Sequence, residues 1–333
     1  MGARTFTTRQ PIKVATGNFD TLRPLGRLDE VNMLLNTAQI DICGIQEGRW
    51  FDDANIAREG YQFLLTKATK QGVGGVGLAI KQDHLPTLMA YRFLGPRLLW
   101  ARFRGKARHL SVIVAYAPTN AETVDESERD TFYTSLLETY WSCPAMDLEI
   151  VLGYMNVSSP SDPAAAQGCI GPWGPPQTKS MTEDTPNGSH FVDFLNHTGT
   201  SDLITWFRKP LGRKSTFYSA NDNHEPVTLD HILIDRRSRS CAEDLTVRQD
   251  LHLATYTTPR HTDNKFPGHR LVVCNLRFKM RKPRPQPTPE GIGVCKYSKP
   301  AFATAAVQKQ VLNTLHNHPE MGTIEKAAEF INN

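Results

Sequence analysis

The sequence predicts an α/β protein dominated by strands. Three observations carry this reading: a succession of short apolar runs of strand length, only a few segments with helical apolar spacing, and polar residues that recur where the runs end. With 333 residues and 39% hydrophobic side chains, the chain can bury one large core or two medium ones without disulfides or a structural metal.

The first strand spans 12–16 and leads into Gly17, Asn18, Phe19 and Asp20. A helix follows over 27–37, where Leu28, Val31, Leu34 and Leu35 recur at helical spacing. Strands at 40–46, 61–65, 76–80, 98–103 and 110–116 come next, the first of these ending in Gln46-Glu47 and the last on Tyr116. A helix over 127–141 precedes the apolar strand 148–152. Gly153 then lets a polar tip, Tyr154-Met155-Asn156, emerge at that strand's carboxyl end, where the sites of layered α/β proteins gather. By itself a Gly-x-x-Asn sequence after a strand is a plain turn with a satisfied Asn. The stretch 158–188, rich in Pro, Gly, Ser and Thr, reads as an extended surface loop. A helix at 188–197 and strands at 203–207, 215–219, 229–234 and 269–278 complete the body. Beyond Lys279 the prolines from Pro283 to Pro289 permit only polyproline II, so the segment reads as a linker. Helical spacing returns at 301–315 and 324–331, in pieces too short to fold alone. The expected organisation is a flexible 1–10, a domain over 11–278, a Pro-rich basic linker over 279–300 and a short helical tail over 301–333.

Composition narrows the function classes. From Lys279 onward eight basic side chains stand against four acidic ones, which accounts for the whole net charge of +4. Nucleic-acid affinity therefore has to come from local clustering, for example at Arg281, Lys282 and Arg284, rather than from bulk charge. The six cysteines form no CxxC pair, and Cys43 and Cys274 sit inside apolar runs as small hydrophobes. The polar start with Arg4 and Arg9 lacks a signal-peptide core, Phe6 breaks the myristoylation pattern, and no run is long enough to span a bilayer. The expected setting is the nucleus or the cytoplasm, with no membrane partner.

The strand ends carry an ordered series: Asn18 and Asp20, Gln46-Glu47, Tyr116, Asn156, Asp230 in Thr-Leu-Asp-His-Ile-Leu-Ile, and His269 in Pro-Gly-His-Arg-Leu-Val-Val. In this order the chain resembles the exonuclease-endonuclease-phosphatase superfamily. The segments 26–31 (GRLDEV), 41–50 (DICGIQEGRW), 74–80 (GGVGLAI) and 115–120 (AYAPTN) look most like the endonuclease domain of LINE-type non-LTR retrotransposons and the related craniofacial development protein 2 group. The likeness covers about residues 10–278. More loosely, 299–333 is similar to the segment that joins endonuclease to reverse transcriptase, and the chain stops before any polymerase motif, as in a truncated or domesticated element product.

The resemblance implies a four-layer α/β/β/α sandwich of two mostly antiparallel, mixed sheets flanked by helices. It implies that Glu47 with Asp20 holds Mg2+, with Mn2+ as a substitute, and that the metal neutralises the scissile phosphate and the leaving oxygen. His269 would donate to a phosphate oxygen with Asp230 on its other ring nitrogen. Asn18, Tyr116 and Asn156 would orient phosphate and attacking water. DNA is the implied partner, with RNA left open, and the tail helices are a place for a protein partner.

Two positions depart from the family pattern. Where the family has Gly-Asp-x-Asn this chain has Gly153, Tyr154, Met155 and Asn156, and where it has Ser-Asp-His this chain has Pro267, Gly268 and His269. The first Asp is taken to activate the water and the second to contribute to the metal site. A phenol with an ordinary pKa near about 10 is a poor base at neutral pH, and glycine supplies no ligand. Gly17, in place of a family Trp, removes an aromatic brace. The expectation is impaired cleavage and weakened cation binding. The competing expectations are a non-catalytic nucleic-acid-binding module and a protein-interaction module. The retrotransposon-like segments argue against a phosphatase of inositol phosphates or sphingomyelin.

Overall fold

A computed structural model of the chain describes residues 6–7, 10–121, 124–160, 166–174, 185–220, 225–253 and 267–279. In chain order the elements are β1 (Ile12–Asn18), α1 (Arg27–Ala38), β2 (Ile42–Gln46), β3 (Ala54–Arg58), β4 (Tyr61–Leu65), β5 (Gly77–Lys81), β6 (Leu88–Phe93), β7 (Leu98–Phe103) and β8 (Leu110–Tyr116). There follow α2 (Glu126–Ser142), β9 (Leu148–Tyr154), α3 (Pro186–Thr198), β10 (Thr200–Asp202), β11 (Phe217–Tyr218), β12 (Asp230–Asp235), β13 (Ala242–His252) and β14 (Gly268–Leu276).

Capping chemistry bounds two of the helices. Asp125 accepts from the Ser127 amide at the start of α2, where Glu126 and Glu128 complement the helix dipole. Pro186 opens α3, and Gly199 closes it with φ 64°, its amide donating to the Leu195 carbonyl.

The strands form two sheets. One runs β11-β14-β1-β2-β5-β4-β3 with β13 also on β14, and the other runs β10-β12-β9-β8-β7-β6. The parallel pairs are β1 with β2 and β8 with β9, each joined through a helix as parallel neighbours require. All other pairs among the described residues are antiparallel, isolated bridges aside. The inner faces meet in one buried cluster, Val14, Ile42, Leu78 and Val272 from one sheet against Val112, Ile150, Leu152 and Ile232 from the other. The outer face of the first sheet, with Ala15, Cys43, Ile45 and Phe63, packs on Val31 and Leu35 of α1. On the other side Phe132 and Leu136 of α2 and Phe191 and Phe194 of α3 are buried. The layering is therefore the expected α/β/β/α.

Several expectations need correction. The apolar run at 203–207 is not a strand: β10 covers Thr200–Asp202, and Leu203–Thr205 is a 3-10 turn closed by Thr205 Oγ1 on the Asp202 carbonyl at 2.6 Å. The strands β3, β6 and β13 were not expected, because they mix polar and charged residues on edges or half-exposed faces, where apolar alternation is diluted. Nor is 158–188 all surface loop. Ser158 and Ser159 are buried, Ser158 Oγ donating to the Thr228 carbonyl at 3.0 Å, and Cys169 and Ile170 join the core. The expected N-terminus, linker and tail helices fall almost wholly outside the described residues, as do Arg281, Lys282 and Arg284.

Candidate active-site cleft

The topology brings distant residues to one edge. β1, β2, β8 and β9 end there, and the antiparallel β12 and β14 begin there. Asn18 stands opposite Gln46, Tyr116 opposite Tyr154, and Tyr154 opposite Asp230. His269 stands opposite Phe217. The expected strand-end residues thus share one cleft across both sheets.

Glu47 is its most heavily bonded carboxylate. Oε1 accepts from Asn18 Nδ2 at 2.8 Å and from the Tyr116 hydroxyl at 3.1 Å, the latter bond joining the two sheets. Oε2 accepts from Arg49 Nη2 at 2.6 Å. Asp20 lies further out: its backbone amide donates to Asn18 Oδ1 at 2.9 Å, and its carboxylate reaches Arg49 Nη2 at 3.7 Å. Burial pulls the Arg49 pKa down, but the bond to Glu47 and the charges of Glu47 and Asp20 outweigh it, and the net shift is upward. Burial, then the Glu47 charge, pushes the Tyr116 phenol up, so it remains a donor at neutral pH.

Asp230 and His269 form the expected pair, Nδ1 to Oδ2 at 2.9 Å. Thr216 Oγ1 receives the amides of Leu229 at 2.9 Å and Asp230 at 3.1 Å, which fixes the start of β12. The imidazole is clamped between Phe217, centroids 4.8 Å apart, and the ring of Tyr154, 4.9 Å away and edge-on at 83°. Asp230 Oδ1 is buried and has no partner among the described residues. A second pair lies deeper: His231 Nδ1 meets Asp202 Oδ2 at 2.9 Å and Nε2 meets the Val157 carbonyl at 2.8 Å, with both side chains fully buried. Burial lowers the His231 pKa but Asp202 outweighs it, leaving the imidazole raised.

Tyr154 occupies the heart of the cleft. Its ring stacks on Tyr116, centroids 5.6 Å apart at 9°, and is only 8% exposed. Burial first, then the charges of Asp230 and Glu47, raises its phenol well above the ordinary value, so it cannot serve as a base near neutrality. Gly268 has φ 101°, a conformation L side chains rarely adopt. At Gly17 an added Cβ would fall 2.3 Å from Leu253 Cδ1, so the buried leucine packs directly against the glycine. Asn156, with φ 54°, donates from Nδ2 to the Ala117 carbonyl at 2.8 Å and so braces the neighbouring loop.

The resemblance implies a divalent ion on Glu47 and Asp20, and these residues do not fit one as they stand. Both Glu47 oxygens already take donors, Asp20 is half exposed, and the third acidic position is a glycine. Sequence reasoning missed Arg49, Thr216 and Phe217. Arg49 lies two residues past Glu47 in the quoted GRW segment; Thr216 acts through its hydroxyl on the start of β12 and Phe217 through its ring on His269.

No protein-family model matches the chain. The chain is 23% identical over 268 residues, 80% of its length, to craniofacial development protein 2 of Bos taurus, and the match spans 41% of that protein. The Tragulus javanicus protein of the same name is also 23% identical over 268 residues, the match spanning 42% of it. The chain thus spans less than half the length of these curated relatives. Among solved structures, an AP endonuclease from Archaeoglobus fulgidus superposes with a TM-score of 0.58 at 18% identity, covering 80% of this chain and 100% of that one. The 3' phosphatase NExo from Neisseria, bound to product DNA hairpin, gives 0.55 at 17% identity over 80% of this chain and 100% of that one.

Proposed function

We propose, from the premise that this chain has the exonuclease-endonuclease-phosphatase fold, that it is a LINE-type endonuclease domain by descent whose phosphodiester cleavage is impaired. One observation carries the proposal: Glu47, Tyr116, Asp230 and His269 meet in one cleft, and the ring of Tyr154 fills it at the position where the resemblance expects a water-activating carboxylate. The named functions of the structural neighbours, one of them with product DNA, support nucleic acid as the ligand.

The chain's own groups still do part of the work. Asp230 orients the His269 ring through Nδ1, which leaves Nε2 as the atom to meet a phosphate oxygen. Asn18 and Tyr116 hold Glu47 from one side. At 154 the chain has a buried phenol in place of the carboxylate that the resemblance assigns to activating the water. A positioned base is worth roughly 10²- to 10⁴-fold in rate, so its loss dominates. Mg2+ or Mn2+ would reach Glu47 and Asp20 only by displacing the donors they already hold, and would bind weakly.

The test is a nicking assay on supercoiled DNA with Mg2+ or Mn2+, with Glu47→Ala as control. We expect little or no cleavage above the control. Robust metal-dependent cleavage abolished by Glu47→Ala would overturn the impairment. The second reading, nucleic-acid binding without cutting, keeps the nucleic-acid ligand that the neighbours' named functions support while the buried Tyr154 ring takes the place of a reacting group. Filter binding at two salt concentrations tests it, because phosphate contacts give a steep salt dependence. A protein-interaction role through 301–333 is a competing reading, and the proposed setting is the nucleus or the cytoplasm.

A further inference from the structure

We propose that Arg49 is the built-in counter-cation of the cleft: its guanidinium occupies the place a divalent ion would take between Glu47 and Asp20. The inference rests on the reading of those two acids as the cation-binding pair.

The geometry is specific. A single Arg49 nitrogen, Nη2, lies 2.6 Å from Glu47 Oε2 and 3.7 Å from Asp20 Oδ1, so one cation spans both carboxylates. The remaining Glu47 oxygen is taken by Asn18 and Tyr116. An ion entering there must displace either the guanidinium or those donors.

Arg49 is also held from its backbone, unlike a loose surface arginine. Glu47 and Arg49 are both left-handed, with φ 53° and 49°, which turns the chain sharply at the end of β2. The Arg49 amide donates to the Gly74 carbonyl at 3.0 Å, and the Arg49 carbonyl accepts from Arg23 Nε. A Cβ on Gly75 would fall 2.7 Å from the Arg49 amide nitrogen, so the facing loop is a glycine where Arg49 approaches. The Gly74-Gly75 segment therefore fixes the position from which the side chain reaches the acids.

Charge completes the case. Gly268 brings no third carboxylate, which leaves two negative charges with one permanent positive charge between them. Arginine cannot deprotonate to make room for a metal. A divalent ion beside that guanidinium would meet repulsion at contact distance, whereas Mg2+ already gives up its water reluctantly.

The experiment is Mn2+ binding to the full-length chain, read from the free-ion paramagnetic resonance signal without any activity measurement. The variants are Arg49→Gln, Arg49→Lys, Glu47→Gln and the double variant Arg49→Gln with Glu47→Gln. The difference made by Glu47→Gln isolates this cleft from the Glu126, Asp130 and His190 group on α2 and α3, which could also take Mn2+. We expect Arg49→Gln to tighten Glu47-dependent binding about tenfold or more, as removal of one contacting unit charge implies. Arg49→Lys should stay near wild type, and the double variant should lose the gain. Glu47-dependent binding in the wild type that Arg49→Gln leaves equal or weaker overturns the role of Arg49 while the acids keep theirs. A rise in Arg49→Lys equal to that in Arg49→Gln also overturns it, since the charge is then not the cause. No Glu47-dependent binding in either Arg49→Gln or wild type removes the reading of the acids as a cation pair, and this inference with it. Arg49 makes its loop bonds through the main chain, so Arg49→Gln should melt close to wild type and Arg49→Lys provides an independent folded comparison.

Discussion

Tyr154 is held by packing rather than by its hydroxyl. The ring stacks on Tyr116 and meets His269 edge-on, and no hydrogen bond to its oxygen is seen among the described residues. Tyr154→Phe should therefore change the unfolding free energy by less than about 0.5 kcal/mol, whereas Tyr154→Ala should cost roughly 3 kcal/mol or more by urea denaturation. Restoring an acid is a different matter. Tyr154→Asp would set a carboxylate opposite Asp230, whose Oδ1 already lacks a partner, in a buried place. Gly268→Asp would force a side chain into φ 101°, at a cost of about 1 to 3 kcal/mol. If backbone strain is the cause, Gly268→Ala should lose a similar amount; an unchanged alanine variant would point to charge instead. An acid at 154 or 268 is thus not a neutral exchange, because each position is shaped to the residue it holds.

At the scale of elements, β9 shows both what the sequence discloses and what it conceals. Its apolar run was legible, as were β4, β7 and β8, whose bounds match the expected 61–65, 98–103 and 110–116. The site frame was legible for the same reason: Asn18, Glu47, Tyr116, Asp230 and His269 lie at or beside strand ends, and parallel β1-β2 and β8-β9 bring those ends together. Arg49 was not legible, because its role depends on two left-handed residues and on a facing glycine loop. Edge strands such as β6 were concealed by their exposure. Within β9 one acid has an unexpected setting. Glu149 is only 5% exposed, and burial, opposed by a hydrogen bond from Tyr140 and reinforced by Asp235, raises its pKa to about 7. A carboxyl whose folded pKa lies above its unfolded value adds stability below the unfolded pKa, and that contribution fades as pH climbs through the folded one. Glu149 should therefore lower stability progressively from about pH 4.5 to above pH 7, by at most roughly 3 kcal/mol. Glu149→Gln should flatten that part of the pH profile in urea titrations. A wild-type slope that persists unchanged in the variant would assign it elsewhere, for example to His231, which titrates in the same direction.

For the whole molecule, the cleft exists only while the two sheets keep their spacing, since Glu47 and Tyr116 come from different sheets and meet at 3.1 Å. Gln46 makes a second bridge, its Nε2 donating to the Leu152 carbonyl at 3.1 Å. The spacing is set where β2 crosses β9: a Cβ on Gly44 would fall 2.7 Å from Leu152 Cβ and 3.4 Å from Val114 Cγ1. The Leu152 contact involves a Cβ bonded to main chain, so it cannot be relieved by a rotamer change. Gly44→Ala should therefore push the sheets apart and cost about 1 to 3 kcal/mol. Leu152→Ala should cost roughly 2 to 5 kcal/mol through the cavity it leaves. The combined variant still has a Cβ at 152, so the clash persists at its root, while the Cδ1 contact at 3.2 Å disappears. Its loss should fall short of the sum by only a modest interaction energy, of the order of 0.5 to 1 kcal/mol. A combined loss fully relieved to that of Leu152→Ala alone would mean that the leucine's outer atoms, and not the main chain, hold the sheets at this distance. Gly44→Ala should also lengthen the Tyr116 to Glu47 bond, which relieves one Glu47 oxygen of a competing donor, so Glu47-dependent Mn2+ binding in the Arg49→Gln background should tighten where the protein remains folded.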